Sequence, residues 1–357
     1  SASQIKDIPV TSFENAIQGQ MAGVQVTETS GEPGAGPSIR VRGVGSITAG
    51  NEPLYVIDGF PVSKNVDLGV QGDNFRRGAG RFRPPTQNPL ATLNPNDIES
   101  IQVLKDASSA SIYGSRGSNG VILITTKKGS RKGAPVVSYD TYVGSQSVAN
   151  KLDLMNSSEF IAYNIEATNN AYLQANPGAS ASDPNSMRTN GAWRIADDMQ
   201  NPDGTDTDWQ DEMFTTAFLQ SHNVSVSGGS EKVGYYVAAN YYNQDGIIEG
   251  SDFNRYSIRM NLEADVTDKL RIGLNLSPSY TTSNKKPAGS PYFSRPPGIV
   301  YSGIVHSPTV KPFNEDGTPN QLDNQSYLLT SDGAGASLSS ASNPFAIIEG
   351  IDDQLTQ

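Results

Sequence analysis

Residues 98–128 read IESIQVLKDASSASIYGSRGSNGVILITTKK, and this stretch decides the fold of the N-terminal part of the chain. Two strand-like runs, IESIQVL and VILITT, flank a turn cluster with glycines at positions 114, 117 and 120. A run as apolar as VILITT predicts a strand buried on both faces. The glycine cluster between the two strands either cradles a phosphate or forms a sharp structural corner.

The glycine spacing argues against a nucleotide site. Gly114, Gly117 and Gly120 match neither G-x-G-x-x-G nor G-x-x-x-x-G-K-[ST], and a strand follows them instead of a helix whose N-terminus could bind phosphate. We therefore predict a structural corner in which glycine supplies positive φ and lets backbones approach closely. Arg116 is predicted to make ion pairs or hydrogen bonds beside this corner.

The rest of the first 129 residues indicates a mixed α/β unit. Short apolar runs, VQV, SIRVRG and PLYVIDG, predict further strands separated by glycine and proline turns. Phe13, Ile17 and Met21 recur at helical spacing, which predicts a short helix over residues 13–21. A second turn of helix is predicted over residues 107–113.

After residue 129 the pattern changes to strict alternation of apolar and polar side chains. Five strands are predicted around residues 137–143, 224–226, 233–241, 256–265 and 270–277. In the last of them Leu270, Ile272, Leu274 and Leu276 form one face, and Arg271 and Asn275 belong to the other.

Alternation alone permits a soluble sandwich with one wet face or a membrane barrel. The links between the strands favour the barrel, because short links (GGSEK and VTDK) alternate with long ones (144–222, 243–255 and everything after 285). We therefore expect the leucine face to contact lipid, and Arg271 and Asn275 to face the lumen.

The composition excludes several classes of protein. The 357 residues include no cysteine, which removes disulfide scaffolds and thiolate metal sites. With 26 Lys+Arg against 37 Asp+Glu, the net charge of −11 disfavours a nucleic-acid-binding protein. The sequence contains no run of about 20 apolar residues, the length that a membrane-spanning helix requires.

Signals for metals and catalysis are weak. The acidic segment NPDGTDTDWQDE, residues 201–212, leaves calcium binding around Asp203 to Asp211 open, but it lacks the EF-hand order, so a solvated outer loop is favoured. His222 and His306 lie too far apart to predict a zinc site. Asp97 and Glu99 could share a strand face, where solvation or strand-end capping is favoured over catalysis. We predict no enzyme, no metal and no cofactor.

Several blocks of sequence carry a family resemblance. FENAIQGQMAGVQV, SIRVRGVGSI, EPLYVIDGFPV, NPNDIESIQVLKDASSASIYGSRGSNGVILITTKKG, DTDWQDEMF and SHNVSVSGGSEKVGYYVAANYYNQDGII closely resemble the SusC-like TonB-dependent transporters of Bacteroidetes. The similarity extends from about residue 13 to about residue 283. It implies an N-terminal mixed α/β plug, residues 1–129, inside a membrane β-barrel whose first strands lie in residues 130–357. A complete barrel of this class has about 22 strands, so the sequence is expected to be a piece of a longer polypeptide.

The resemblance also implies a role in the outer membrane. It implies TonB-driven import of nutrient oligomers, most often oligosaccharides, with a SusD-like surface lipoprotein as partner and a possible dimer of transporter–lipoprotein pairs. Oligopeptide import by the same architecture and a surface glycan-binding β protein without transport remain alternatives. The segment that contacts TonB is not identifiable before Phe13. In such a plug Gly114, Arg116, Gly117 and Gly120 form a hallmark corner.

The resemblance places two segments of the plug on the outward side, facing substrate. One is the turn from Ser46 to Asn51, and the other is the insert between Val62 and Leu93, which is rich in arginine and phenylalanine. Its aromatic rings and guanidinium groups suit a glycan or a peptide, although they could equally hold a loop against an acidic wall. The predicted substrate-facing residues are Ser46, Asn51, Asn74, Phe75, Arg76, Arg77, Arg81, Phe82 and Arg83.

Overall fold

The computed structural model describes residues 17–28, 31–43, 51–62, 89–131, 134–195, 203–286, 288, 298–320, 343–350 and 353–356. The strands are β1 (Val24–Thr27), β2 (Ser38–Val41), β3 (Leu54–Ile57), β4 (Phe60–Val62), β5 (Ile98–Leu104), β6 (Val121–Thr126), β7 (Val136–Gln146), β8 (Ala217–Ser230), β9 (Val233–Asp245), β10 (Asp252–Thr267), β11 (Leu270–Leu276), β12 (Ser279–Lys285) and β13 (Asp353–Thr356). The α-helices are α1 (Ala107–Ala110), α2 (Ser157–Ala175), α3 (Trp209–Met213), α4 (Ile299–Val305) and α5 (Pro344–Gly350).

The first six strands form the N-terminal unit. Its four-stranded sheet has the order β4-β3-β6-β5, in which β3 and β6 are parallel and the other pairs are antiparallel. Strands β1 and β2 form a separate antiparallel pair. The core contains Ile39, Tyr55, Ile98, Ile122 and Ile124, all buried, so the runs that the sequence marks as apolar on both faces do form the centre of this unit.

The helix predicted over residues 13–21 is wrong for its described part. Residues 17–23 form turns and a bend, and residues 13–16 lie outside the described part of the chain. Gly19 and Gly23 have φ of 71° and 72°, a left-handed backbone that no α-helix contains. Ile17 is nevertheless buried and Met21 packs against the same core, so the apolar spacing reflects burial rather than helix. The second prediction holds in part, because α1 continues as a 3₁₀ turn over Ser111–Gly117.

The remaining strands, β7 to β13, form one antiparallel sheet that we call the wall. All five strands predicted from alternation are present in it. Two-residue turns join β8 to β9 and β10 to β11, whereas a segment containing α2 and α3 joins β7 to β8. The link between β9 and β10 has only six residues, shorter than predicted, because both strands extend further into it. Strand β8 likewise begins earlier, at Ala217.

Strands β11 and β12 are two halves of one strand. Both pair antiparallel with β10: β12 pairs with Asp252 to Ser257, and β11 pairs from Met260 onward. Between them the backbone N–H of Ile258 donates to the Pro278 carbonyl. Proline has no backbone N–H to donate, so the ladder lacks a bond at Pro278, and the β10–β11 register also shifts between Asp265 and Thr267. The sequence prediction ended this strand too early and missed β13, which pairs with β12.

The two faces of the wall differ as alternation predicts. On β9 the buried face carries Tyr236, Ala238 and Tyr242, and this face is turned toward the N-terminal unit. Strand β11 is the exception, because both of its faces are exposed: Leu274 on the leucine face is 47% exposed, and Arg271 and Asn275 on the other face are exposed too. Across the described residues, no helix combines the length and apolar character needed to cross a membrane.

The long segments beyond the wall have their own packing. Arg188 is fully buried, and its guanidinium donates to the carbonyls of Asp183 and Trp193 at 3.1 and 2.7 Å. His306 lies 4.2 Å from Trp209, centroid to centroid, and burial lowers the pKa of His306 to about 4. The imidazole is therefore neutral at pH 7 and acts as a packing group.

Candidate functional site

The N-terminal unit and the wall meet through polar side chains, most of which are buried. Their contact joins residues that are more than 120 positions apart in the sequence, for example Asn94 and Asn223, whose side chains are hydrogen-bonded at 2.8 Å. The set that we call the unit–wall contact consists of Asp58, Asn94, Asp97, Thr126, Asn223, Tyr236, Arg259 and Asn275.

Asp58 is the centre of this contact. It forms the β3–β4 turn with Gly59, and the two residues have φ of 48° and 90°, the left-handed pair that a two-residue Asp-Gly hairpin requires. Its Oδ2 accepts from Nη2 of Arg259 at 2.5 Å and from Nδ2 of Asn275 at 2.8 Å. Thr126 donates to the same carboxylate from its hydroxyl at 2.6 Å and from its backbone N–H at 2.9 Å.

The ion pair between Asp58 and Arg259 is buried, with side-chain exposures of 9% and 4%. Burial by itself raises the pKa of Asp58, but the hydrogen bonds from Thr126 and Asn275 and the charge of Arg259 outweigh it, so the pKa lies below its usual value. Asp58 is therefore ionised at neutral pH, and the pair is a charged one.

Asp97 forms a second, different contact. The hydroxyl of Tyr236 on β9 donates to Oδ1 of Asp97 at 3.0 Å, and Asp97 is 4% exposed. Burial raises the pKa of Asp97 and outweighs the Tyr236 hydrogen bond and the charges of Arg259, Lys127 and Arg255, which lower it. The expectation of solvation is wrong for Asp97, because the wall covers it, whereas Glu99 is exposed as expected.

Ion pairs continue the contact toward the two-residue turns of the wall. Lys128 pairs with Glu263 at 2.9 Å and Arg131 with Asp265 at 2.5 Å, near the end of β10. The hydrogen bond to Glu263 is the largest cause of the raised pKa of Lys128. The residues that follow β6 therefore run along the inner face of the wall toward the end where the two-residue turns lie. We call this end of the wall the short-turn end.

This placement orients the N-terminal unit. Strand β6 ends at the short-turn end, and β3 ends there too because it is parallel to β6. Strand β5 is antiparallel to β6, so the β5–β6 connection lies at the opposite end, toward the long segments. That end also holds Arg42, which is ion-paired with Asp106 at 2.7 Å.

Comparison with protein-family models assigns the N-terminal part of the chain. Residues 1–121 match the TonB-dependent receptor plug domain. A TonB-dependent receptor from Formosa agariphila is 38% identical over 327 residues, which is 90% of this chain and 28% of that protein. The chain belongs to the TonB-dependent receptors. These are outer-membrane β-barrel proteins, and the family is one of receptors and transporters rather than enzymes.

Two further matches narrow the kind of TonB-dependent receptor. The receptor SusC of Bacteroides thetaiotaomicron is 36% identical over 267 residues, 74% of this chain and 22% of that protein. The solved structure of the RagAB peptide importer in its closed-closed state matches with a TM-score of 0.69 at 28% identity, covering 97% of this chain and 36% of that one. The chain thus spans about a quarter of the length of the curated relatives that it matches. The fold is a TonB-dependent plug with part of a SusC-like barrel.

The glycine corner of this TonB-dependent receptor has measurable geometry. Gly114 and Gly120 have φ of 60° and 90°. A Cβ on Gly117 would lie 2.8 Å from the carbonyl oxygen of Ala110, and one on Gly120 would lie 3.0 Å from Val41. Close packing therefore explains why residue 117 is a glycine, and a positive φ explains why residues 114 and 120 are glycines. Arg116 is exposed and has no ion pair with any described residue.

Most of the predicted substrate-facing residues cannot be placed. Asn51 lies just before β3, at the end of the plug that points toward the long segments. The others lie outside the described residues: Ser46, Asn74, Phe75, Arg76, Arg77, Arg81, Phe82 and Arg83.

The sequence did not reveal the unit–wall contact of this receptor. Asp58 carries a usable signal, because Asp-Gly between two strand-like runs predicts a two-residue hairpin with the aspartate at its tip. Arg259 carries only the signal of a charge on the lumen face of an alternating strand. No local sequence pattern shows that Asp58 and Arg259, which are 201 positions apart, contact each other. In the acidic segment, Asp208 caps α3 through the backbone N–H of Gln210 at 2.8 Å.

Proposed function

We propose that this chain is part of an importer that moves nutrient oligomers across the outer membrane with energy from the TonB complex. The observation that carries the proposal is the unit–wall contact. Individual buried hydrogen bonds contribute only about 1 kcal/mol each, so a plug held by such bonds and a few ion pairs can be released by a mechanical pull and can then return. An apolar interface of the same size has no such discrete release points.

The proposed substrate is an oligosaccharide, and an oligopeptide is the second candidate. The 36% identity to SusC supports the first, and the structural match to the RagAB peptide importer supports the second. The segment rich in arginine and phenylalanine, residues 62–93, provides rings for stacking and planar hydrogen-bond donors, which serve either class.

The proposed partners follow from the same similarity. A SusD-like surface lipoprotein would cover the outward opening, and pairs of transporter and lipoprotein could dimerise. TonB would engage a segment upstream of the plug. We also propose residue 129 as the end of the plug, because the ion pairs of Lys128 and Arg131 with the wall begin there.

The test is growth of a strain that lacks the gene and is complemented with the full-length protein. We expect growth and uptake of a labelled oligosaccharide or oligopeptide to return, and to disappear again when the TonB complex is removed. Separate panels of glycans and peptides identify the substrate class. Uptake that persists without the TonB complex would refute active import.

A further inference from the structure

A short segment that follows β7 exposes apolar side chains beyond the wall. Leu152, Leu154 and Met155 are 57%, 39% and 48% exposed, and they are close together in the sequence. Single exposed apolar residues are common on proteins, but a contiguous group marks a surface that another structure covers. Lipid is not that structure, because Lys151 and Asp153 alternate with these side chains and a charge is costly in hydrocarbon.

The backbone of this segment is held from one side. The buried side chain of Gln210 on α3 binds the backbone of Leu152 twice: its Oε1 accepts from the N–H and its Nε2 donates to the carbonyl, both at 2.8 Å. At the other end, the backbone N–H of Ser157 donates to Oδ1 of Asp206 at 2.8 Å. We call residues 152–157 the fixed segment. Its apolar side chains are ordered before a partner arrives, which reduces the entropy cost of binding.

The place of β7 in the wall identifies what lies beside the fixed segment. Within the part of the chain that the structure describes, β7 pairs with β8 and with no other strand. A closed barrel leaves no unpaired strand edge, so the second edge of β7 pairs with the last strand of the complete barrel. That strand belongs to the part of the polypeptide that follows this chain.

The direction of β7 then places the loop that leads into the last strand. Val136 at the start of β7 pairs with Ser227, close to the two-residue turn after β8, so β7 runs away from the short-turn end. Neighbouring strands of such a barrel are antiparallel, and the last strand therefore begins beside Gln146, where β7 ends. The outer loop before the last strand, which we call the closing loop, emerges next to the fixed segment.

We infer that the fixed segment is the docking site for the closing loop. Gln210 and Asp206 already occupy the side of the segment toward β8, so the closing loop approaches from the side on which the barrel closes. The first and last strands are the one neighbouring pair that no loop connects. An apolar contact between the segments that extend from them fastens the barrel at this junction.

Photochemical cross-linking of the full-length protein tests this assignment. The 357 residues contain no cysteine, so Leu152→Cys or Met155→Cys carries a benzophenone maleimide label at one known position once any cysteine in the rest of the polypeptide is replaced by serine. Glu166→Cys, at an exposed position of α2, is the matched control. The purified, labelled protein, with any lipoprotein that copurifies, would be irradiated in detergent and its cross-linked peptides identified by mass spectrometry.

We expect the labels at 152 and 155 to cross-link to the closing loop of the same chain at least fivefold more often than the label at 166 does. Cross-links that fall mainly on a lipoprotein or on a second copy of the protein would overturn the assignment. The same holds if neither label exceeds the one at 166.

A second experiment needs no label. Replacing Leu152, Leu154 and Met155 together by asparagine removes the apolar contact but keeps the hydrogen bonds of Gln210, which involve only the backbone of Leu152. On whole cells, we expect added protease to cleave the closing loop at least fivefold faster in this variant than in Glu166→Gln. Equal cleavage rates at equal surface amounts of the two variants would contradict docking.

Discussion

Asp58 links the backbone of the plug to its contact with the wall. The left-handed Asp-Gly turn sets the direction of the Asp58 carboxylate. This carboxylate then accepts hydrogen bonds from Arg259, Asn275 and Thr126. A buried charge needs such partners, because removing it from water costs several kcal/mol that only close hydrogen bonds and a counter-charge offset. The pair therefore specifies how the plug sits in the barrel more than it stabilises the fold.

Replacing Arg259 by methionine should weaken the attachment of the plug. The change leaves the Asp58 carboxylate buried without its counter-ion, and we expect a loss of about 3–5 kcal/mol in unfolding free energy. Urea unfolding of the full-length protein in detergent, followed by protease sensitivity of the plug, measures this. Arg271→Gln is the matched control, because Arg271 pairs with Asp265 at an exposed site where a bridge contributes at most about 1 kcal/mol. Similar losses in both variants would contradict this role for Arg259.

Removing the charge of Asp58 and removing the charge of Asp97 should have opposite effects on the stability of the folded protein at neutral pH. The lowered pKa of Asp58 means that it contributes stability at pH 7, which is lost as the pH falls through its folded-state pKa. The raised pKa of Asp97 means that its ionisation opposes folding at pH 7, a cost that disappears below the unfolded value of about 3.9. We expect Asp58→Asn to lower the unfolding temperature at pH 7 and Asp97→Asn to leave it unchanged or raise it.

Thermal unfolding of both variants at pH 7 and pH 4 tests this pair. Asparagine at position 97 still offers a carbonyl oxygen to the Tyr236 hydroxyl, so that hydrogen bond is retained. Any gain from Asp97→Asn should shrink at pH 4. A large loss from Asp97→Asn at pH 7 would show that its charge is stabilising after all.

At the scale of elements, alternation located the wall strands because each strand separates a plug-facing side from an outward one. It missed β12 because the outward residues there are Tyr280, Thr282 and Asn284, and polar residues on both faces give no period. Pro278 lies where β11 and β12 meet, and the missing proline N–H does not end the strand. The helix prediction fails over its described part, residues 17–21, for a comparable reason, since spacing cannot show that Gly19 has a left-handed backbone.

Strand β11 provides the sharpest test of the two faces. Leu274 is 47% exposed on the outward side, whereas Nδ2 of its neighbour Asn275 donates to Asp58 at 2.8 Å on the inner side. Leu274→Arg should cost about 2–4 kcal/mol in the bilayer and reduce assembly into the outer membrane. Asn275→Arg should assemble far better, because its charge lies beside the Asp58 carboxylate. Heat-modifiable migration of the membrane fraction measures both, and equal defects would invert or abolish the assignment.

At the scale of the whole molecule, the plug has one end tied to the barrel and one end facing outward. The ion pairs of Lys128 and Arg131 hold the short-turn end. Strand β4 runs antiparallel to β3, so Val62 at its end lies nearer the outward end than Phe60 does. The role of the insert in binding substrate stays a prediction, because residues 63–88 lie outside the described part of the chain.

Deleting residues 73–83 from the full-length protein tests that role. The deletion removes Arg76, Arg77, Arg81, Phe75 and Phe82 but leaves β4 and the core residues Leu90 and Leu93 in place. We expect normal surface expression and lipoprotein pairing, with ligand affinity of the purified complex reduced at least tenfold and growth on the cognate nutrient slowed. A second variant keeps the length of the insert and removes its positive charge, so it distinguishes the two effects. In it glutamine replaces Arg76, Arg77, Arg81 and Arg83. Unchanged affinity and growth with intact assembly would show that the insert only packs against the barrel wall.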